Sequence, residues 1–129
     1  MSVALISSTI RDYLTANYSE TEIAYENNFF DTPEKLPWIK LNILFNESEI
    51  TSLGQSPCYR MQGIIDIQVF EYKESGTFET ERLVDVLIDL FKFKNISGVK
   101  TFEPGIFKAN LVDNWYQTNA SFNFTFDTQ

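Results

Sequence analysis

The sequence predicts an α+β fold: an antiparallel or mixed β-sheet with two helices packed on one face. Three observations carry this reading. Two segments space their apolar residues as one face of a helix does. Three longer stretches alternate apolar and polar residues, as half-buried strands do. Their order along the chain is helix, strands, helix, strands, which suits helices gathered on one side of a sheet. At 129 residues the length fits one domain covering residues 1–129. A chain this size buries about two-thirds of its unfolded surface, so it folds without disulfide or metal staples.

The first helix spans about residues 2–16. Val3, Ile6, Ile10, Tyr13 and Leu14 share one face, and Ser2 is a suitable N-cap. Ile23-Ala24-Tyr25 reads as a short strand. Asn27 to Pro33, with Pro37 beyond, has the chemistry of a loop and carries Phe29 and Phe30. From Trp38 to Asn46, Ile39, Leu41, Ile43 and Phe45 point one way and Lys40, Asn42 and Asn46 the other. Residues 47–57 are polar and end in Gly and Pro, which predicts a loop or a protruding β-hairpin arm. Alternation returns from Tyr59 to Glu71, with Met61, Ile65, Ile67 and Val69 toward the core. Gly63 in mid-strand predicts a bulge or a close backbone approach.

Lys73 to Thr77 is a turn, and a second helix follows from about Thr77 to Lys92. Leu83, Leu87 and Leu90 form one row of it; Val84, Ile88 and Phe91 form the next. Glu79 and Glu81 near its start and Lys92 at its end suit the helix dipole. Asn95-Ile96-Ser97-Gly98 closes it. Val99 to Glu103 predicts a strand closed by Pro104-Gly105, and Ile106 to Leu111 another. From Tyr116 to Asp127, Ala120, Phe122, Phe124 and Phe126 alternate with polar residues.

Composition narrows the function. With 18 acidic and 10 basic residues the net charge is −8, against duplex binding through phosphate neutralisation. Arg60, Lys73, Arg82 and the later lysines form no basic stripe. Histidine is absent, which removes the commonest general base, metal ligand and nucleophile partner. The single cysteine, Cys58, reads as an inert residue at a strand start. No Gly-rich phosphate loop occurs. The expected result is a protein that is no enzyme and binds no metal or cofactor. The N-terminus lacks the pattern of a secretory signal, and no apolar run approaches a bilayer span. A cytoplasmic chain with no membrane partner is therefore expected.

Several residues stand out. Glu71, Glu74, Glu79 and Glu81 cluster around the second turn. A divalent-ion site is the sharper reading of them, and a solvated helix start the better one. Asp85 and Asp89 lie one turn apart on the polar side of the second helix. Trp38 and Trp115 each stand beside an alternating strand, as core caps or as interface anchors.

These features resemble the small tail terminator (tail completion, minor tail protein U-like) proteins of long-tailed bacteriophages. The residues that carry the resemblance are Leu36-Pro37-Trp38 opening a strand, then Arg60, Gly63 and a strand through Phe70. A turn with Gly76 leads to a helix bearing Leu83, Leu87 and Phe91, and Trp115 stands before the last strand. The likeness covers about residues 5–126; the turn at Lys73 to Thr77 holds one Gly where the family often has more. It implies an α+β structural virion protein forming a hexameric ring at the head-proximal end of the tail tube. Such a ring stops tube polymerisation and presents a joining surface to the head connector. The implied partners are copies of the chain, the tube protein and the connector, with DNA passing unbound. The candidate interface residues are Phe29, Phe30, Trp38, Glu49, Ile50 and Leu53. The candidate lumen-facing carboxylates are Glu71, Glu74, Glu79, Asp85 and Asp89. Another neck or tail component, or a small ligand-binding domain, is the competing expectation.

Overall fold

Helix α1 (Ser2–Asn17) opens the chain with a stripe of Ile6, Ile10 and Leu14, all fully buried. The four-residue spacing stacks them on one face. This computed structural model describes residues 2–26, 30–34, 36–46, 49–50, 59–73, 78–112 and 114–128. After α1 come β1 (Glu22–Tyr25), β2 (Trp38–Phe45), β3 (Glu49–Ile50), β4 (Tyr59–Tyr72), α2 (Phe78–Phe91), β5 (Asn95–Ile96), β6 (Val99–Val112) and β7 (Trp115–Thr128). One sheet holds all the strands in the order β1-β2-β4-β7-β6-β5, with β3 paired to β4. β1 runs parallel to β2, and every other pairing is antiparallel. The sheet is therefore mixed.

The register carries the sequence alternation across the sheet. Ile39 faces Val69, Leu41 faces Ile67, and Ile43 faces Ile65. Ile65 in turn faces Phe122, and Ile67 faces Ala120. Successive side chains on a strand point to opposite faces, so these rows stack on the side where the helices lie. α2 adds Leu83, Val84, Leu87 and Phe91, forming one core with the α1 stripe. Each fully buried Leu, Ile or Phe contributes about 1.5–3 kcal/mol by leaving water. The helices run in opposite directions: Tyr13 donates to the Leu90 carbonyl (2.6 Å) and meets the Phe91 ring, while Glu20 reaches Arg82 near the other end of α2.

Two local structures differ from expectation. The segments 99–103 and 106–111 form one strand, β6, which passes through Pro104-Gly105 with register shifts on either side of 104–108. Beyond its short pairing with β5, this strand forms a ladder only with β7 among the described residues. An edge position tolerates a proline that donates no ladder bond, and the shift absorbs its geometry. The Asn95–Gly98 stretch is also more than a helix stop. Phe93 takes a left-handed φ of 49° after α2, and Ser97 and Gly98 (φ 50° and 98°) turn β5 into β6. Two successive positive φ values make the tight hairpin that matches strand twist. Thr101 then donates its hydroxyl to the Phe91 carbonyl, satisfying one orphan acceptor at the end of α2.

Gly63 is a point of close approach. A Cβ there would lie 2.1 Å from the Leu44 carbonyl oxygen and 2.6 Å from the Phe124 ring. Phe124 thus covers a position without a side chain, with Phe45 edge-on at 5.9 Å. Truncating Phe124→Ala leaves a cavity there and should cost about 3–5 kcal/mol. Denaturant unfolding checks this; a loss well under 1 kcal/mol would mean the ring is not part of the core.

Candidate functional site

The face of the sheet turned away from the helices carries the alternate residues. Lys40, Gln68 and Asn119 form one row across it; Asn42, Asp66 and Ser121 form the next. Short polar bonds lace these rows. The Asn42 amide donates to Gln68 (3.2 Å), Ser121 donates to Asp66 (2.8 Å), and Gln117 donates to Asn119 (2.8 Å). The face is hydrophilic yet nearly neutral, and its side chains hold one another in place.

At one end of this face the polar rows give way to rings. Trp38 stacks on Phe70 with centroids 4.1 Å apart, and Phe30 leans on Trp38 at 5.0 Å. Trp115 meets Trp38 edge-on at 5.9 Å and Tyr72 at 5.4 Å. Cross-strand aromatic pairs of this kind add about 0.5–1.5 kcal/mol beyond their burial. The Trp38 indole N–H is buried and has no hydrogen-bond acceptor among the described residues. Trp38 and Phe30 are thus brought together, whereas Phe29 and Leu53 lie outside the described residues. Glu49 and Ile50 pair with Arg60 and Tyr59, so the root of the 47–57 arm extends the β4 ladder.

The carboxylates separate into different roles. Asp85 and Asp89 are exposed on α2, and Asp89 lies 3.5 Å from Lys92. Glu79 pairs with Arg82, which also binds Glu20 at 2.8 Å. The Arg82 hydrogen bond holds the Glu79 carboxyl below the usual carboxylate range. Glu71 corrects an expectation. It is only 5% exposed, and its carboxylate accepts from the Thr80 backbone N–H (3.1 Å) and the Thr80 hydroxyl. An anion at a helix N-terminus is stabilised by the free amides and the dipole, so Glu71 caps α2 and does not face outward. The signal was available: 65, 67, 69 and 71 share one parity of β4, the parity that faces the helices. Glu74 lies outside the described residues.

The two edges of the sheet are unlike. The β1 edge follows Glu20 and carries Glu22, Glu26, Asp31 and Glu34, with no Lys or Arg between 20 and 34. A hollow of about 450 Å³ opens there, lined by Ser19, Glu20, Thr21, Glu22, Pro33, Leu36 and Pro37. The β5–β6 edge has Lys92, Lys94, Lys100 and Lys108 against Glu103. It also exposes Phe93, Phe102, Ile106 and Phe107. Charge counts by segment hint at this, but only the strand order shows that the two segments lie on opposite edges. Among the described residues no group of three or more Cys, Asp or Glu is placed to hold a metal ion. What the surface offers is area for contact.

The family described as phage tail terminator protein matches residues 4–100, from α1 into the start of β6. The chain belongs to this family. As a tail terminator family member it also shares its fold with a solved structure at TM-score 0.66 and 15% identity, covering 95% of this chain and 96% of that one. No curated protein matches the terminator sequence.

Two expectations follow for stability. Glu71→Ala should destabilise the fold by about 1.5–3 kcal/mol in denaturant unfolding, because it removes a charged acceptor from a buried helix start; an unchanged midpoint would deny the cap. Glu79 has a folded pKa below its unfolded one, so its contribution exists above the unfolded value near 4.5 and fades as pH falls through the folded value. Melting of Glu79→Gln should therefore lie below the parent at neutral pH and converge with it in acid. A gap that persists at pH 2 would contradict the ion pair as its source.

Proposed function

We propose that this chain ends the phage tail tube as a ring of copies, stopping tube growth and offering its far side to the head connector. Membership of the tail terminator family is the observation that carries the reading. The fold agrees with a part that works by contact. A ring needs a heterologous interface, one patch meeting a different patch on the next copy, and the two sheet edges differ in charge and in exposed side chains. Six copies is the expected number.

The aromatic end at Phe30 and Trp38 and the segment bearing Glu49, Ile50 and Leu53 are candidate contacts with neighbours, tube protein or connector, and Phe29, adjacent to Phe30 in the sequence, is a further candidate. Glu74, Glu79, Asp85 and Asp89 are the candidate carboxylates toward the lumen. A net charge of −8 lets DNA pass, since like charges repel and contact releases no counterions. The chain acts without bond-making chemistry in the virion tail, after assembly in the host cytoplasm.

Purified protein added to polymerising tail tubes tests this. A terminator arrests growth and caps one end, seen by electron microscopy as a ring on the tube. Incorporation along the tube length would instead make it a tube protein, and tubes growing unaffected would refute termination. Scoring tube ends matters because a terminator can stay monomeric until the tube templates it.

A further inference from the structure

We propose that neighbouring copies join across the unlike sheet edges: the Phe107–Lys108 step of β6 seats in the next copy's hollow between Ser19–Glu22 and Pro33–Pro37. This rests on the ring reading above and adds to it the surfaces that meet.

The first support is an exposed apolar edge. From Glu103 onward the outer side of β6 pairs with no strand among the described residues. Ile106 is 51% and Phe107 61% exposed there. Phe107 pairs with Asn119 and so lies on the helix-free side, while Ile106 and Lys108 lie on the helix side. A long edge strand with bare apolar side chains invites pairing with another chain.

The second support is charge. Lys92, Lys94, Lys100 and Lys108 belong to the β5–β6 side, Lys100 toward the helix-free face and Lys108 toward the helices, with Glu103 the one acid of that segment and Asp89, Asp127 and Glu81 near Lys92, Lys100 and Lys108. Glu20 and Glu22 line the hollow at the other edge, Glu26 follows β1 there, and Asp31 and Glu34 flank Pro33 in the sequence. Nearby cations offset this only in part. Arg82 binds Glu20, Arg11 lines a crevice with Glu26, and Lys35 follows Glu34 in sequence. Lys108 itself makes only an exposed 3.5 Å contact with Glu81, which is readily exchanged. Joining like edge to like edge would oppose equal charges; joining unlike edges pairs opposite ones.

The third support is height. The register runs in one row from Ile23 through Ile39, Val69 and Thr118 to Lys108. Glu22 is one residue from that row, about 3.4 Å along the strand. Copies related by pure rotation about an axis along the strands need matching patches at equal height, and these two patches meet that condition. Pro33, Leu36 (63% exposed) and Pro37 give the Phe107 ring an apolar seat, and Glu20, held on the helix side by Arg82, faces Lys108.

The test places a photo-crosslinking phenylalanine analogue at position 107 of the full chain. It is illuminated over a concentration series and on tube ends, and the linked peptides are mapped. Links between chains should fall within residues 19–37. Lys108→Glu and Glu20→Lys should each lower the yield about tenfold, as a like-charge contact does. Mixing the two variants should restore it, since each supplies the other's complement. Phe107→Asp, at an exposed site, should block assembly in a tube-end assay while melting normally, a second readout should either reversal disturb folding. Links that map elsewhere, links to tube or connector protein in place of a second copy, or yields indifferent to both reversals would overturn this surface pair and leave the ring reading standing. No link between chains at any concentration or on tube ends would likewise overturn the surface pair, while a tube end that carries no ring in micrographs would overturn the ring reading itself.

Discussion

The pairing of β4 with β7 is the constraint on which the rest of the molecule depends. All fourteen residues of β4 face all fourteen of β7 in one unbroken register. Because side chains alternate, that register decides which face every residue on both strands occupies. A one-residue slip of β7 would turn Phe122 and Phe124 toward water and bring Ser121 and Asn123 against the helices, and a slip of β4 would do the same to Ile65, Ile67 and Asp66. Gly63 and Phe124 help to pin it: the ring fills the space over the glycine, and no neighbouring position on β4 lacks a side chain.

From this pair the fold grows outward on both sides, with different results. On one side β2 and the short parallel β1 extend the sheet under α1, and Glu26 accepts the Ile43 backbone N–H at 2.7 Å where β1 has ended. On the other side β6 follows β7 at full length, then turns back into only two residues of β5. The helices cover one face. The other face is left with amides, hydroxyls, the apolar Leu44 and Ile64, Phe107 at its edge and a terminal cluster of rings. A domain with one covered face, one bare face and two unequal edges is suited to assembly, because each surface differs from the others in what it can bind.

Much of this was legible in the sequence where period and burial coincide. Ile6, Ile10 and Leu14 marked α1, and the alternation of Phe122 and Phe124 marked β7, since in both cases a single solvent-averse face sets the pattern. Pro104-Gly105 misled, because a proline breaks a central strand but not an edge strand, and edge status is a property of the whole sheet. Glu71 misled because carboxylates are usually exposed; its partner Thr80 lies nine residues on, across a turn. The opposed charges of the two edges depend on strand order, which no local window contains. The candidate contact residues were legible only as chemistry: Trp38 and Phe30 stood out as aromatic, but their neighbours Phe70, Tyr72 and Trp115 come from two other strands, β4 and β7.

The ring cluster has an optical consequence. The chain contains two tryptophans, Trp38 and Trp115, and both sit in that one group of rings, 5.9 Å apart. Its tryptophan fluorescence therefore comes from a single corner of the molecule. Tryptophan emission will follow events at that corner, where Phe30 leans on Trp38, and stay silent about the opposite edge.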